Sequence, residues 1–314
     1  MSDLGTSPRV AIILVNWNND HDTLACVDSL KQSTFKTFDI IIVDNGSRVD
    51  SVQRLKARQN EYYLMLSEQN TGYTGGNNLG IAHAMSLGVD FVFLLNNDTL
   101  IAETALATLV EAMRQDPQVG VVTPKIFFHP DRHVLWAAGT SFNQGILMGK
   151  NLGYLSEDCA AYNRRAYLDY AVGCALLIRR EVVETVGTLT ADYFCHYEDV
   201  DYGLRVNRRG YKILYEPSAI VWHKESASTG GRDNPYIVYY QTRSAFVFRH
   251  RWSQSTRHSV ESHSYYLAYC AARICRFLGR GNFRGIAAIF LAIADALRGR
   301  LGRREYQVLS KKRG

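Results

Sequence analysis

The chain has 314 residues, 46% of them hydrophobic and 21% charged, with 24 Gly and 6 Pro; this composition suits a folded, enzyme-sized body and excludes disordered, collagenous and mucin-like chains. No fixed-period self-similarity points to a solenoid or propeller, and the length fits one large α/β domain or two modest ones. The net charge of +6 conceals an asymmetry: 15 Lys and Arg stand against 3 Asp and Glu from Arg243 onward, and 21 against 27 before it, so body and tail suit different partners.

Met1 to Arg9 is polar and lacks the basic and apolar regions of a signal peptide, so no export is expected. Apolar runs then recur at Val10–Val15, Asp39–Val43, Tyr62–Leu66, Phe91–Leu95 and Val119–Val122, separated by segments with helical spacing of apolar positions. Short, β-branched, nearly continuous runs are what strands buried on both faces look like, so the pattern predicts a mostly parallel sheet with helices on both sides. Polar and Gly residues follow three of these strands, at Asn16-Trp17-Asn18, Asp44-Asn45-Gly46-Ser47 and Asn96-Asn97-Asp98. Open α/β sheets bind ligands at such carboxyl ends.

From about Phe127 to Tyr170 short polar and aromatic pieces read as hairpins or loops over the sheet, in an order the pattern leaves open. Ala171–Arg180 predicts a strand, Glu198–Gly210 a helix closed by Gly, and YKILYEP and AIVWHK two further strands. Beyond Arg243, Leu267, Cys270, Ile274 and Phe277 and then Ile286, Ile289, Phe290, Ile293 and Leu297 mark two amphipathic basic helices. The longest apolar run, Gly285–Ala294, stops at Asp295 and is about half of the roughly 20 residues that span a bilayer. Six scattered cysteines form no C-x-x-C pair, which favours reduced thiols in a cytosolic chain over a zinc ribbon or a disulfide framework.

Four constellations could carry chemistry. In Asn70–Gly80 (NTGYTGGNNLG), Gly72, Gly75 and Gly76 follow the third strand and open a helix; bare backbone with outward amides could cradle a diphosphate, or simply make a tight turn and cap. The string is neither a P-loop nor the dinucleotide fingerprint. Asp44 and Asp98 sit at strand ends, where an Asp either caps the next helix or, beside a diphosphate, holds magnesium or manganese. His223 follows a strand and is either structural or an imidazole ligand, which would tilt the preference toward manganese. Glu198, Asp199 and Asp201 open a helix, with Arg205 placed to pair with Asp201. Three acids so close raise one another's pKa, the tuning that a carboxylate base needs.

The order VNWN, VDNGS, NTGYTGGNNLG, LLNNDT, GCALLIRR, EDVDYGLR and VWH resembles glycosyltransferase family 2, in its bacterial rhamnosyltransferase-like branch, over about Val10 to Arg249. The resemblance implies a GT-A fold, a Rossmann-like nucleotide-binding half of about 8–125 joined to an acceptor-binding half of about 126–250, with a basic helical region at 251–314. It implies base and ribose contacts from Asn16, Asn18 and Asp44, and a donor pocket that includes Gly72, Gly75, Gly76 and Asn77. LLNNDT matches the family's DxD element, with Asn96 or Asn97 near the ribose and Asp98 on the metal; because Asn96 replaces the first acid, metal affinity should lean on the donor's diphosphate and on His223. The ED pair makes Asp199 the expected base, with Glu198 second. YYQTRSAF (Tyr239–Phe246) is similar to a YYxxRN element, with Ser244 in place of Asn.

The implied activity is an inverting, metal-dependent transfer of a sugar, rhamnose from dTDP-rhamnose as the first choice, to a glycan or lipid-linked glycan in cell-surface polysaccharide or lipopolysaccharide assembly. A UDP- or GDP-sugar donor and a catalytically silent sugar-nucleotide-binding protein are the alternatives; the retained acids argue for turnover. Expected partners are the nucleotide-sugar donor, the acceptor and manganese or magnesium, with no nucleic acid, since no binding motif accompanies the basic charge. The basic helices either lie on an anionic membrane surface, at the inner face of the cell membrane of a cytoplasmic protein, or pack on the body or on a second subunit as a homodimer.

Overall fold

The computed structural model describes residues 7–224, 231 and 233–304. Expectations placed on the first six residues, and on 305–314 of the basic tail, lie outside the described residues.

The chain alternates as its pattern predicts. β1 (Val10–Asn16), α1 (Asp20–Lys31), β2 (Phe38–Asn45), α2 (Val49–Lys56), β3 (Tyr63–Ser67), α3 (Gly72–Ser86) and β4 (Phe91–Leu95) build a parallel unit in which β1 lies between β2 and β4. After β5 (Thr99–Ile101) and α4 (Ala105–Gln115), β6 (Val119–Phe128) leads into β7 (Leu135–Ala137), a hairpin of β8 (Thr140–Asn143) and β9 (Met148–Asn151), and β10 (Ala166–Leu168). Then follow β11 (Ala175–Arg179), α5 (Arg180–Val186), α6 (Glu198–Arg208) and β12 (Lys212–His223), and finally α7 (Pro235–Trp252), α8 (Thr256–Gly279) and α9 (Phe283–Leu297).

The main sheet runs β10-β12-β6-β11-β4-β1-β2-β3. β11 enters between β4 and β6 antiparallel to both, while β12 pairs parallel to β6. Alternation along β1 explains the layers: Val10, Ile12 and Leu14 pack under α1 and α4, and Ala11 and Ile13 under α3. A strand whose two sets of side chains are both apolar must be covered on both faces.

Three expectations are corrected. The strand expected over Ala171–Arg180 begins only at Ala175, leaving Gly173 and Cys174 in the loop at its mouth. The two strands expected after α6 are one, β12, with a register shift between Glu216 and Ile220, where Pro217 has no N–H to give the ladder. The boundary expected at 250 falls inside α7, because Phe248 and Trp252 of that helix are both buried against the body. The two basic helices form as expected, α9 packing on α7 through Ala288, Ile289 and Ala292. All six cysteines are free.

Candidate active site

The carboxyl ends of β1, β2 and β4, the N-terminus of α3, the loop before α6 and the start of α7 surround an open cleft of about 190 Å³. Of the residues singled out from the sequence, Gly72, Asn96, Asn97 and Asp98 line it.

Asn16, Asn18 and Asp44 form a network behind this wall. Asn16 Nδ2 donates to Asp44 Oδ2 at 2.8 Å, and Asp44 Oδ1 accepts from the Ser47 amide at 3.0 Å. Asn18 Oδ1 accepts from the Arg48 amide at 2.8 Å. These bonds lock the loop after β1 to the loop after β2. The residues on the cleft are their neighbours Val15, Trp17 and Asn45, since successive side chains of a strand point to opposite faces. Sequence reading gave no individual role to Trp17, Asn45, Asn70, Tyr73 and Tyr236, all on the cleft wall; strand alternation separates Asn45 from Asp44 without saying which of the two faces the cleft.

The glycine string is used for close packing as well as for the cleft. Gly72 has φ +79°, and a Cβ there would lie 2.2 Å from the Phe194 carbonyl oxygen. Gly76 sits inside α3 against Val15, where a Cβ would come within 2.6 Å of Cγ1. Gly75 faces the Thr71 side chain, and Asn77 is buried with its Nδ2 donating to the Tyr73 carbonyl at 2.9 Å. Asn45 clamps the turn ahead of α3, donating to the Gly72 carbonyl at 2.8 Å and accepting from the Thr71 amide at 2.9 Å.

At the end of β4, Asp98 Oδ1 lies 3.1 Å from His223 Nε2. The antiparallel pairing of β5 with the end of β12, in which His223 faces Thr99, brings them together across 125 residues of chain. Both are buried, and Asn96 Nδ2 lies 3.3 Å from the same imidazole nitrogen. Burial opposes the charged form of each, but the imidazole holds the Asp98 carboxyl below its usual range, and Cys174 and Asp98 hold the imidazole well above its own. His223 Nδ1 is buried without a hydrogen-bond partner. An oxygen donor on the cleft wall with a nitrogen donor buried behind it fits a divalent cation that takes the rest of its shell from phosphate and water. Among the described residues no cluster of three or more His, Cys, Asp or Glu could hold a metal ion unaided.

Glu198 and Asp199 open α6 directly after two left-handed residues, His196 (φ 67°) and Tyr197 (φ 72°). Such backbone costs of order 1–3 kcal/mol per residue and persists only where packing enforces it. Here the Tyr197 ring packs on Phe248 and Ser244 Oγ donates to the Cys195 carbonyl at 2.9 Å, so α7 holds the loop. Asp199 Oδ2 accepts from the Gly173 amide at 2.9 Å and Oδ1 from the Val200 amide at 2.8 Å. Tyr73, on the cleft wall, donates its hydroxyl to the Gly173 carbonyl. Glu198 Oε2 is buried with no partner.

Burial pushes both carboxyls up; Glu198 rises well above the usual range with the Asp199 charge adding to it, while backbone amides pull Asp199 back. The expected repulsion is present but secondary: burial is the larger cause for Glu198, Asp199 and then Asp201 add to it, and Asp201 itself accepts from Thr190, Trp252 and Arg205 at 2.7, 2.9 and 2.9 Å.

The Tyr-Tyr-x-x-Arg element lies on α7 as a structural tie. Arg243 is fully buried and donates to the Gly302 carbonyl at 2.7 Å, and Tyr239 donates to Asp295 on α9 at 2.8 Å.

The family model described as glycosyl transferase family 2 matches residues 11–187. An uncharacterized protein, y4gI, of Sinorhizobium fredii is 28% identical over 260 residues, which cover 78% of this chain but 28% of that protein. The low-salt glycan biosynthesis hexosyltransferase Agl10 of Haloferax volcanii is 24% identical over 76% of this chain and 74% of its own length. The N-acetylglucosaminyl-diphospho-decaprenol L-rhamnosyltransferase of Mycobacterium tuberculosis is 27% identical over 70% of this chain and 77% of its own. Among solved structures, GalNAc-T7 with UDP, GalNAc and Mn2+ superposes with a TM-score of 0.58 at 12% identity, covering 82% of this chain and 54% of that one. The mannosyltransferase PcManGT of Pyrobaculum calidifontis with GDP-Man and Mn2+ does so with 0.54 at 16%, covering 93% and 88%. These two likenesses concern the fold.

Proposed function

The chain belongs to glycosyltransferase family 2 and has the α/β fold of GT-A type, and from that premise we propose that it is an inverting transferase moving a sugar from a nucleotide donor to a hydroxyl of a glycan or lipid-linked glycan. The observation that carries this reading is the meeting, around one cleft, of the Gly72 turn, the Asp98–His223 pair and an acid pair held to the cleft wall through Gly173 and Tyr73. The nucleotide half is about 8–125 and the acceptor half runs from about 126 to the end of α7 at Trp252, with the helices beyond it appended.

Asp199 is the base. The amides of Gly173 and Val200 favour its ionised form, whereas Glu198, more buried and next to that charge, takes up a proton first. Asp199 accepts the acceptor hydroxyl's proton as its oxygen forms a bond to the anomeric carbon on the face opposite the nucleotide. The bond from that carbon to the diphosphate breaks with its electron pair leaving on the diphosphate, so the configuration inverts. Gly72 and Asn96 or Asn97 receive the donor, on the wall that Trp17 and Tyr236 complete. Asp98 and His223 are the residues that would hold manganese or magnesium, whose chemistry there is to neutralise the charge gathering on the diphosphate.

For the donor, likeness to the mycobacterial rhamnosyltransferase supports rhamnose; dTDP is the carrier proposed first, with UDP- and GDP-sugars as the alternatives. That protein's name includes a diphospho-decaprenol, which supports a lipid-linked acceptor; polysaccharide or lipopolysaccharide assembly at an anionic membrane face is the setting proposed for such an acceptor. Calorimetric titration with dTDP, UDP and GDP, each with and without manganese, tests the reading. Manganese-dependent tightening for dTDP is expected; binding of none of the three would remove it.

A further inference from the structure

α8 and α9 present a surface that sugar transfer itself does not use. α9 buries Ala288 and Ala292 against α7, and its opposite face carries Phe283, Phe290 and Leu297 at heptad spacing, 68%, 61% and 79% exposed. On α8, Val260, Leu267 and Leu278 fall on one stripe beside the buried face and are 60%, 46% and 54% exposed. Leu278 and Phe283 flank the short turn that joins the two helices, so the stripes meet there. Large apolar side chains collected in this way mark an interaction surface rather than ordinary scatter.

The rim identifies the occupant. Exposed Arg280 and Arg284 stand at the Phe283 end of α9, and exposed Arg298 and Arg300 at the Leu297 end; Arg280 shares Asp233 with Arg276, and Arg300 shares Asp295 with Arg304, so each end keeps an excess of positive charge. From Arg243 onward the chain has 15 Lys and Arg against 3 Asp and Glu. A second copy docked on this face about a two-fold axis would set these basic rims against each other. A partner with an apolar interior and an anionic surface satisfies stripe and rim together. No described helix is long and apolar enough to cross a membrane, whereas helices with an apolar stripe and basic flanks lie in the plane of the interface. We propose that the α8–α9 hairpin docks the chain on an anionic lipid bilayer, Phe283, Phe290 and Leu297 entering the boundary between headgroups and acyl chains. This deepens the proposed function, on which it rests for an acceptor carried by membrane lipid.

The test is flotation of the full chain with phosphatidylcholine vesicles, with and without phosphatidylglycerol, at low and high salt. Wild-type protein is expected to float with the anionic vesicles alone and less at high salt. Phe283→Ser combined with Phe290→Ser, its fold checked by circular dichroism, should weaken partitioning at least about tenfold. Absence of wild-type binding overturns the inference, as does a double variant that floats like wild type. It is also overturned if the double variant instead turns a dimer into a monomer while wild type ignores vesicles. Nucleotide titration of the same preparation separates the readings: retained nucleotide binding without flotation sinks membrane docking alone, and flotation without nucleotide binding supports docking while sinking the transferase reading.

Discussion

The amide of Gly173 donates to Asp199 Oδ2 at 2.9 Å, tying the first turn of α6 to the loop before β11. The carbonyl of the same residue accepts from Tyr73 of α3, so Gly173 couples the acid pair to the helix whose first glycine lines the cleft. Two backbone amides orient this carboxylate and oppose the effect of burial on its charged form, which prepares a base before its substrate arrives.

Asp199→Asn keeps the size of the side chain and removes its ability to accept a proton. Turnover should fall by about 10²–10⁴ while nucleotide affinity stays within about twofold. Steady-state kinetics beside calorimetry checks this, and near-normal turnover would take the base role from Asp199.

Removing the Tyr73 hydroxyl frees the Gly173 peptide. Tyr73→Phe should lower kcat by about fivefold, the equivalent of one ordinary hydrogen bond. A looser amide favours the Asp199 carboxylate less, so the acid limb of the pH–rate profile should also move to higher pH. A purely structural loss would lower active protein without moving that limb.

Glu198 carries a stability cost with a definite sign. Its folded pKa is raised by burial and by Asp199, so the folded state holds a proton that the unfolded chain releases near the ordinary value of about 4.3. Its favourable contribution is complete below that value and is lost as pH rises toward the folded pKa. Glu198→Gln should therefore gain stability relative to wild type as the medium goes from acid to neutral, measured as the difference in Tm across that range. A constant difference would contradict the raised pKa.

The cation role of Asp98 and His223 can be read without turnover. Asp98→Asn and His223→Gln should each weaken nucleotide binding in manganese by about 10–100-fold and leave metal-free binding unchanged. Equal losses with and without metal would make the pair structural.

Gly76→Ala tests the close approach of α3 to β1. With Val15 Cγ1 2.6 Å from the added carbon, the buried contact must open, at about 1–3 kcal/mol. Chemical denaturation should show this as a lower midpoint with an unchanged slope.

Much of the fold was legible in the chain because its signals are local. β1, β2 and β4 are runs of buried Val, Ile, Leu and Phe. The Asp201–Arg205 pair is likewise fixed by helix geometry. The antiparallel entry of β11 and the continuity of β12 through Pro217 were not legible, since both depend on which strand lies alongside.

The site divides in the same way. Sequence alone determined which residue types stand at the strand ends and helix starts: the asparagines and Asp98 after β4, the glycines of α3, and the acids of α6. Only the tertiary structure decided that Asp98 meets His223, that Asn45 rather than Asp44 reaches the cleft, and that Asp199 is bonded to amides while Asp201 is neutralised elsewhere. The physical reason is that capping and periodicity act within a few residues, whereas burial, charge pairing and the face a side chain presents are set by segments distant in sequence, 26 residues for Asp199 and Gly173 and 125 for Asp98 and His223.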